Sequence, residues 1–403
     1  MLKLAFRNIF RNRLRTGLTL GAIVCGVAAI IVSGGFVEDV FVQLRESTIH
    51  SQLGHVQVVR EGYFEAGSRE PNRYLMQDPQ AVTRALARLP QVQDVMTRLN
   101  FSGLANNGRA DLAIVGEGVE PGKEARLGSA LSFVAGRNLR DDDAFGVVVG
   151  EGVAQALKLE PGSPLNLTVN TADGALNSLE FEVVGVFRSF SKDYDDRAVR
   201  IPQPAAQELL FTPAVHSVVV LLGDTTATDS VVAAARQALA GRGYEVKPWH
   251  ELADFYEKTV ALYRRQFGAL QFIVMLMLVM SVASTVNMVV HERTGEFGTL
   301  LALGLRRRQV FQMVLLENTL LGVLGAALGV GVGVALAWLL SAVGLDMPPP
   351  PGSNSGYTAA IRIVPGVLAA AAITGALAAT LAALLPGRRA AKLPVVDALR
   401  HNV

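Results

Sequence analysis

The residues of this 403-residue chain that could carry out catalysis are few and widely separated. The phosphate-binding loop of many ATPases has the motif G-x-x-x-x-G-K-[ST], in which the hydroxyl binds magnesium. The most similar stretch, Gly118–Glu124, is one residue short and lacks the hydroxyl. His291-Glu292 begins like a zinc-protease helix without a second histidine, and no G-x-S-x-G turn occurs. We therefore expect no catalytic residue, no metal site, no bound cofactor and no ATP hydrolysis by this route.

Composition excludes further classes of protein. A single cysteine, Cys25, rules out a disulfide framework and cysteine-based zinc or iron–sulfur sites. The 37 Lys and Arg are nearly cancelled by 35 Asp and Glu, which argues against a basic nucleic-acid-binding protein. Half of the residues are apolar and 39 are glycine, a composition that points to the membrane.

Four stretches contain no charged residue, and each is long enough to cross a bilayer, because about 20 helical residues span the hydrocarbon core. These charge-free runs, 17–36, 267–290, 318–345 and 363–387, predict transmembrane helices at 17–36, 266–290, 311–345 and 363–387. Buried helices of a soluble protein are the alternative, but four such runs are hard to bury. A cleaved signal peptide is the alternative for the first run, whose apolar part of about 20 residues exceeds the usual 7–15.

The charged residues predict the topology. Basic residues predominate in residues 1–16, in the loop 291–310 after the second span and in the tail 388–403, so these segments should be cytoplasmic. Residues 37–265 carry 23 basic and 30 acidic residues and should form a large outer domain. The loop 346–362, rich in proline, should also lie outside. Residues 251–266 are predicted to extend the second span as a helical stalk.

The outer domain reads as α+β. Alternating or β-branched runs predict strands at 55–59, 92–101, 112–115, 147–149, 165–169, 181–187 and 217–222, and helical periodicity appears at 80–89, 152–157 and 229–240. Two helix–strand pairs, 80–89 with the strand from Val92 and 229–240 with 244–246, predict the halves of one split βαβ unit. Residues from about 128 to 212 appear as a β-rich insertion, with a hairpin turn at Asp173-Gly174.

Two short segments have the pattern of membrane-surface or docking helices. In residues 1–16, apolar and basic residues fall on different helical faces, which predicts an interfacial helix; an ordinary basic topogenic segment is the alternative. In 291–310, an apolar patch between Gly298 and Gly304 precedes three arginines. This pattern predicts a brief helix with a face for a cytoplasmic partner, whereas a solvated loop would have no reason to display Phe297 or Leu303.

Polar and small residues also mark the third span. A carboxylate is costly at the bilayer centre, so Glu317 is expected at the cytoplasmic edge, paired with one of Arg306 to Arg308. Both a functional and a structural role stay open for it. The glycines of this span are predicted to allow close helix packing: Gly322, Gly325, Gly329, Gly331 and Gly333.

Three motifs together resemble a known family. The opening Leu4–Thr16 resembles A-x-R-N-[IL]-x-R-x-x-x-R-[ST], the segment Glu292–Gly304 resembles E-R-x-x-E-[IF]-G-x-L-[RK]-A-[IL]-G, and Pro394–Arg400 resembles P-x-x-A-L-R. These are motifs of the permease subunits of the FtsX/MacB/LolC-LolE superfamily, the mechanotransmission class of ABC transporters. The stretch Ser51–Val58 and the loop Met347–Gly352 look closest to the lipoprotein-releasing LolC/LolE branch.

The resemblance implies a function. The chain would be a non-enzymatic permease of the bacterial inner membrane, with cytoplasmic termini and a periplasmic domain, extracting or exporting a lipoprotein, lipid or other amphiphile. MacB-like efflux of drugs or peptides, or FtsX-like activation of an outer hydrolase without transport, are the alternatives. Expected partners are two copies of an ABC ATPase, which bind ATP and Mg, a second permease as homodimer or heterodimer, the lipid bilayer, and a periplasmic carrier or adaptor, but no nucleic acid.

The resemblance also implies two sets of site residues. The coupling segment would contact the ATPase through Glu292, Arg293, Glu296, Phe297, Gly298, Leu300, Leu303 and Gly304. The membrane-interface helix would act through Phe6, Arg7, Asn8, Arg11 and Arg15.

Overall fold

A computed structural model describes residues 13–67, 70–128, 131–189, 191–347, 356–392 and 394. The helices are α1 (Arg13–Thr48), α2 (Tyr63–Ala66), α3 (Pro79–Leu86), α4 (Pro121–Leu127), α5 (Glu151–Leu157), α6 (Lys192–Asp195), α7 (Gln203–Leu210), α8 (Thr228–Ala238), α9 (Trp249–Leu252), α10 (Asp254–Glu292), α11 (Thr294–Ala302), α12 (Arg307–Val343), α13 (Pro365–Ala382) and α14 (Leu384–Ala391). A π-helical turn, Ile49–Leu53, continues α1, and Pro71–Tyr74 and Thr225–Ala227 are 3-10 turns.

The strands are β1 (Val56–Arg60), β2 (Val92–Asn106), β3 (Asp111–Val119), β4 (Ser132–Gly136), β5 (Gly146–Gly150), β6 (Pro164–Asn170), β7 (Leu176–Arg188), β8 (Ala198–Pro202), β9 (Ser217–Leu222), β10 (Tyr244–Pro248), β11 (Leu345–Met347) and β12 (Tyr357–Ala359). The chain divides into a membrane unit, comprising 1–41, 260–346 and 358–403, and an outer unit, comprising 42–259 and 347–357.

Four helices of the described residues are long and apolar enough to cross a membrane, as predicted: α1, α10, α12 and the α13–α14 segment. Helices α1 and α10 contain 36 and 39 residues. At 1.5 Å per residue they measure roughly 54 and 58 Å, well beyond a hydrocarbon core of about 30 Å. The predicted stalk before the second span is therefore continuous helix from Asp254 onward, and the first span also extends past its predicted end at residue 36.

The glycines of α12 create close helix contacts, as predicted. Three of them, spaced four residues apart, face β-branched residues of α1: Gly325 faces Ile23, Gly329 faces Val27 and Gly333 faces Ile31. A Cβ atom at these glycines would lie 2.7 to 2.9 Å from the facing side chain. Gly322 similarly faces Ala379 of α13, whereas a Cβ at Gly331 would meet no atom of the described residues within 4 Å.

The fourth span, predicted over 363–387, consists of two consecutive helices. Helix α13 ends at Ala382 and α14 begins at Leu384. Pro386 explains the division, because proline has no N–H to donate and its ring clashes with the carbonyl four residues earlier, that of Ala382.

The first half of the outer unit is a four-stranded antiparallel sheet in the order β10-β1-β9-β2. In this order the strands of one helix-connected pair, β1 and β2, alternate with those of the other, β9 and β10. Helices α3 and α8, which connect the two pairs, pack on this sheet and on each other. The arrangement is the predicted split βαβ unit.

The second half of the outer unit is a mixed sheet that begins within β2. Residues Leu99–Asn106 of β2 pair with β3, which runs parallel to β8; β8 is antiparallel to β5, and β5 is parallel to β7. The β-rich insertion therefore recruits residues well before 128. The turn at Asp173-Gly174 joins β6 to β7 as a hairpin, with Gly174 at φ +84°, as predicted.

Candidate functional site

The connection between the second and third spans is a short helix with a defined start and end. Helix α11 follows α10 after Arg293 and includes Gly298, so it begins earlier than the predicted patch. It ends in a Schellman motif, in which Leu305 N–H donates to Leu300 O and Gly304 N–H donates to Leu301 O, both at 3.1 Å. Gly304, at φ +93°, supplies the left-handed conformation that this ending requires. The sequence thus sets the length of α11.

Arg293 joins this helix to the third span. Its guanidinium lies 3.0 Å from the carboxylates of both Glu296, one turn into α11, and Glu317, in α12. The guanidinium also lies 5.3 Å from the centre of the Phe297 ring, within the range of a cation–π contact. Arg293 is 8% exposed and Glu317 is also 8% exposed, so this pair is shielded from solvent.

The partner of Glu317 differs from the predicted one. The sequence suggested Arg306 to Arg308, which lie close to Glu317 in the chain, but these three arginines are exposed at the start of α12. Arg293 reaches Glu317 because the turn between α10 and α11 brings the end of the second span against the third. The observed pair therefore connects the second span to the third, whereas the predicted pair would have lain at the start of α12 and within that helix alone.

Phe297 is a core residue of the membrane unit. It is 1% exposed and belongs to one apolar cluster with Val290, Val310, Met313 and Ala390. The expectation that its side chain forms a face for a partner is therefore corrected: within this chain Phe297 already has its apolar neighbours. A helix of nine residues is too short to be stable alone, and burying this ring holds it in place.

The remaining predicted coupling residues divide by exposure. Gly298 is buried, and Leu300 is partly buried against the same cluster. Glu292, Glu296, Leu303 and Gly304 are exposed, and Leu303 is 75% exposed. The geometry therefore offers a partner a small surface of Leu303 and acidic side chains, carried on a helix that is anchored from beneath.

The predicted membrane-interface residues are almost all outside the described residues. Phe6, Arg7, Asn8 and Arg11 precede residue 13, where the described structure begins. Arg15 lies in α1, and its side chain is not described. Their role at the membrane surface stays a prediction.

Two family models match this chain and together cover most of it. The MacB-like periplasmic core domain matches residues 16–238, and the FtsX-like permease C-terminal domain matches residues 268–395. The first begins in the first membrane helix and covers most of the outer unit, and the second includes α11 and the last two spans. Both are domains of ABC transporter permeases of one superfamily.

Curated relatives agree with these models. The chain is 26% identical to the pyoverdine export ATP-binding/permease protein PvdT of Pseudomonas fluorescens and 25% identical to the macrolide export ATP-binding/permease protein MacB of Hyphomonas neptunium. Both alignments cover 98% of this chain, which spans only 58% and 60% of those relatives. An uncharacterized ABC transporter permease of Bacillus subtilis, YvrN, is 25% identical over the whole of this chain and 99% of its own length.

Solved structures of outer domains are more distant. The periplasmic region of MacB from Actinobacillus actinomycetemcomitans is 16% identical, with a TM-score of 0.37 over 51% of this chain and 93% of that one. The extracellular domain of the transporter YknZ is 18% identical, with a TM-score of 0.36 over 48% of this chain and all of that one. The assignment rests on the family models, and by them this chain belongs to the FtsX/MacB superfamily and is an ABC transporter permease.

Proposed function

We propose that this permease couples ATP hydrolysis by a partner ABC ATPase to movement of its outer unit, and that this movement exports an amphiphilic cargo. The observation that carries the proposal is the attachment of α11 to two spans at once. Arg293 follows the second span directly and is paired with Glu317 of the third. A force on the exposed surface of α11 would therefore reach both spans.

The mechanical argument depends on burial. Separating Arg293 from Glu317 would leave a buried charge without its partner, which typically costs about 3–5 kcal/mol. Phe297 adds apolar contacts that a rotation of α11 alone would lose. Moving α11 away from the spans would thus break this ion pair and these apolar contacts, so Glu296 and Leu303 can act as the contact points for an ATPase.

The distribution of charge supports the orientation. By the positive-inside rule, the three basic segments support a cytoplasmic position for α11 and both termini, with the acidic outer unit on the other side of the bacterial inner membrane. Two copies of the chain, or one copy and a paralogue, would then bind two ATPase subunits. ATP and Mg would be held by the ATPase, and this chain would contribute the movement.

The cargo is proposed by class. Relatives named for pyoverdine export and macrolide export favour a small secreted amphiphile. Release of lipoproteins is the second candidate, supported by the resemblance of Ser51–Val58 and the loop Met347–Gly352 to the LolC/LolE branch. A periplasmic carrier or adaptor would receive either cargo. The alternative without any cargo is that movement of the outer unit activates an extracytoplasmic hydrolase.

Site-specific photo-cross-linking tests the coupling surface. A photoreactive amino acid at position 303 should capture an ABC ATPase, identified by mass spectrometry, in living cells. The same amino acid at position 176, where Leu176 is 77% exposed in the outer unit, is the matched control and should not capture it. Equal capture from both positions, or none from 303, would contradict the proposal.

A second measurement distinguishes the cargoes. Cells depleted of the chain are assayed for retention of radiolabelled lipoproteins in the inner membrane and for accumulation of erythromycin. Retained lipoproteins would identify lipoprotein release, and accumulated erythromycin would identify efflux. If neither lipoprotein retention nor erythromycin accumulation changes in the depleted cells, while position 303 of the intact chain captures the ATPase, the signalling role is favoured.

A further inference from the structure

Four charged side chains form a buried ion cluster in the outer unit that no motif predicted. The cluster consists of Arg98, Arg200, Glu117 and Glu124, with the hydroxyl of Tyr194. Arg98 lies 2.5 Å from Glu124, and Arg200 lies 2.9 Å from Glu117. The two arginines are 3% and 2% exposed. Two positive and two negative charges balance, so the cluster as a whole carries no net charge.

Both arginines also bind the end of the first membrane helix. Nη2 of Arg200 donates to the main-chain oxygen of Ser51 at 2.7 Å, and Nη1 of Arg98 donates to that of Gln52. These oxygens belong to the π-helical turn that continues α1 without a break. The last carbonyls of a helix have no partner within it and carry partial negative charge, which two guanidinium groups satisfy.

The two arginines come from different sheets of the outer unit. Arg98 lies in β2, where that strand pairs with β9 of the split unit, and Arg200 lies in β8 of the mixed sheet. Directly after the turn, Gly54 at φ +67° redirects the chain into β1, and a Cβ there would clash with Val219. The helix end is therefore attached to both sheets by side chains and to the split unit by the main chain.

Stability alone does not account for this arrangement. A buried ion cluster can often be replaced by apolar residues of similar volume at little or no cost in stability. Apolar side chains, however, cannot bind main-chain oxygens. Directional, charge-assisted hydrogen bonds resist displacement along the helix axis, whereas apolar contacts tolerate sliding. The cluster supplies a rigid joint at the point where α1 enters the outer unit.

We propose that Arg98 and Arg200 are positioning residues that transmit displacement of α1 to the outer unit during the transport cycle. This inference rests on the proposed function, because it requires ATP-driven movement of the membrane helices. Each guanidinium is held by a carboxylate on one side and holds a helix carbonyl on the other. The end of α1 and the two sheets therefore move together.

The test compares two replacements in the full chain, reconstituted with its ATPase in liposomes. In the first, R98M/R200M/E117L/E124L/Y194F replaces the cluster with apolar residues. The matched control, R188M/E151L, removes a bidentate ion pair that lies 2.6–2.7 Å apart and, among the described side chains, does not bind α1. Hydrogen exchange in β9 verifies that each variant keeps its outer unit folded.

Spin labels report the movement. In a C25A background, labels at Leu176→Cys of two paired copies measure the separation of the outer units, and a second pair at Ser47→Cys and Leu176→Cys measures the joint within one copy. Wild type and control should show a nucleotide-dependent change in the first distance and none in the second. The apolar variant should lose the change in the first distance and broaden the second, while ATP hydrolysis continues.

Two results would overturn the inference. If the distance between the two Leu176→Cys labels of the apolar variant changes with nucleotide as in wild type, the proposed role of Arg98 and Arg200 is refuted, whereas the proposed function is not. A wild-type chain whose first distance never changes with nucleotide would refute the proposed function and the joint together. If the fivefold variant does not fold, R200K decides, since one ammonium cannot reproduce the fork that binds Glu117 and Ser51 together. An unchanged R200K response would refute the joint.

Discussion

The guanidinium of Arg293 lies 3.0 Å from the carboxylate of Glu317, a residue 24 positions later in the chain. The pair joins the end of the second span to the third, and both residues are buried. A buried pair adds little net stability but is costly to break. A shift of α11 alone would therefore break a buried ion pair that connects two spans.

Removing one partner of this pair should release α11. We expect R293Q or E317Q to destabilise the attachment of α11 by about 3–5 kcal/mol, because the remaining charge stays buried alone. Hydrogen exchange across residues 294–302 should rise in the full chain. The apolar pair R293M/E317L should restore protection, and E296Q, at a carboxylate that is 45% exposed, should change it by less than about 1 kcal/mol. Equal effects of E296Q and E317Q would contradict this.

Leu303 should matter for association with the ATPase but not for folding. L303D places a charge on a side chain that is 75% exposed, so the free energy of unfolding should change by less than about 0.5 kcal/mol. Copurification of the ATPase should fall sharply. L176D, at an equally exposed leucine of the outer unit, should leave copurification unchanged. A normal yield of ATPase with L303D would argue that this surface is not the contact.

The glycine contacts of α12 provide a comparison within one helix. G329L should destabilise the membrane unit by about 1–3 kcal/mol or more, because the new side chain would overlap Val27. G331L should be nearly neutral, since its side chain would enter open space. The thermal unfolding temperature of the full chain in detergent distinguishes them. Equal losses at both positions would show that helix propensity or lipid contact, not packing on α1, decides the effect.

Two buried histidines should make the outer unit sensitive to acid. Burial lowers the pKa of both His55 and His216 to about 4, from 6.5. Nδ1 of His55 accepts from Leu222 N–H, and Nδ1 of His216 accepts from Asn100 N–H, so both rings are held neutral. Between these pKa values the unfolded chain binds more protons than the folded chain, so stability rises with pH across this window.

Each histidine should contribute about 3 kcal/mol that is fully present above pH 6.5 and lost as the pH falls towards 4. Hydrogen exchange of the β9 amides in the full chain, followed from pH 7 to pH 4, measures the slope. H216Q keeps a neutral acceptor and should reduce the slope between about pH 6.5 and 5.5 by about half, since His55 is still present. Carboxylates with a lowered pKa, such as Glu46, add to the slope only nearer their ordinary value of 4.5. A slope that does not differ from wild type would exclude His216 as a source.

Repeating patterns predicted most of the fold. Charge-free runs marked the four spans, and alternating or β-branched runs marked seven strands, of which β2, β3 and β7 are five or six residues longer than predicted. Strand β8 was missed because its sequence, Ala198–Pro202, contains an arginine and a proline and has no alternation. Arg200 can be buried there because Glu117 and Glu124, 83 and 76 positions earlier, lie beside it. Such long-range compensation leaves no local pattern.

The site was predicted less completely for the same reason. The apolar residues of 291–310 indicated a helix that packs against something, but local sequence cannot distinguish this chain's own core from a partner. Phe297 packs inside, and Leu303 lies outside. The ion pair of Glu317 could not be assigned from proximity in sequence, because the turn after α10 selects Arg293 over the nearer arginines.

Strand β2 belongs to both sheets of the outer unit: its residues up to Arg98 pair with β9, and those from Leu99 onward pair with β3. Twisting one sheet against the other would therefore break hydrogen bonds of β2, which is one continuous strand of 15 residues. An antibody or inhibitor that immobilised either sheet would therefore restrict the other sheet as well.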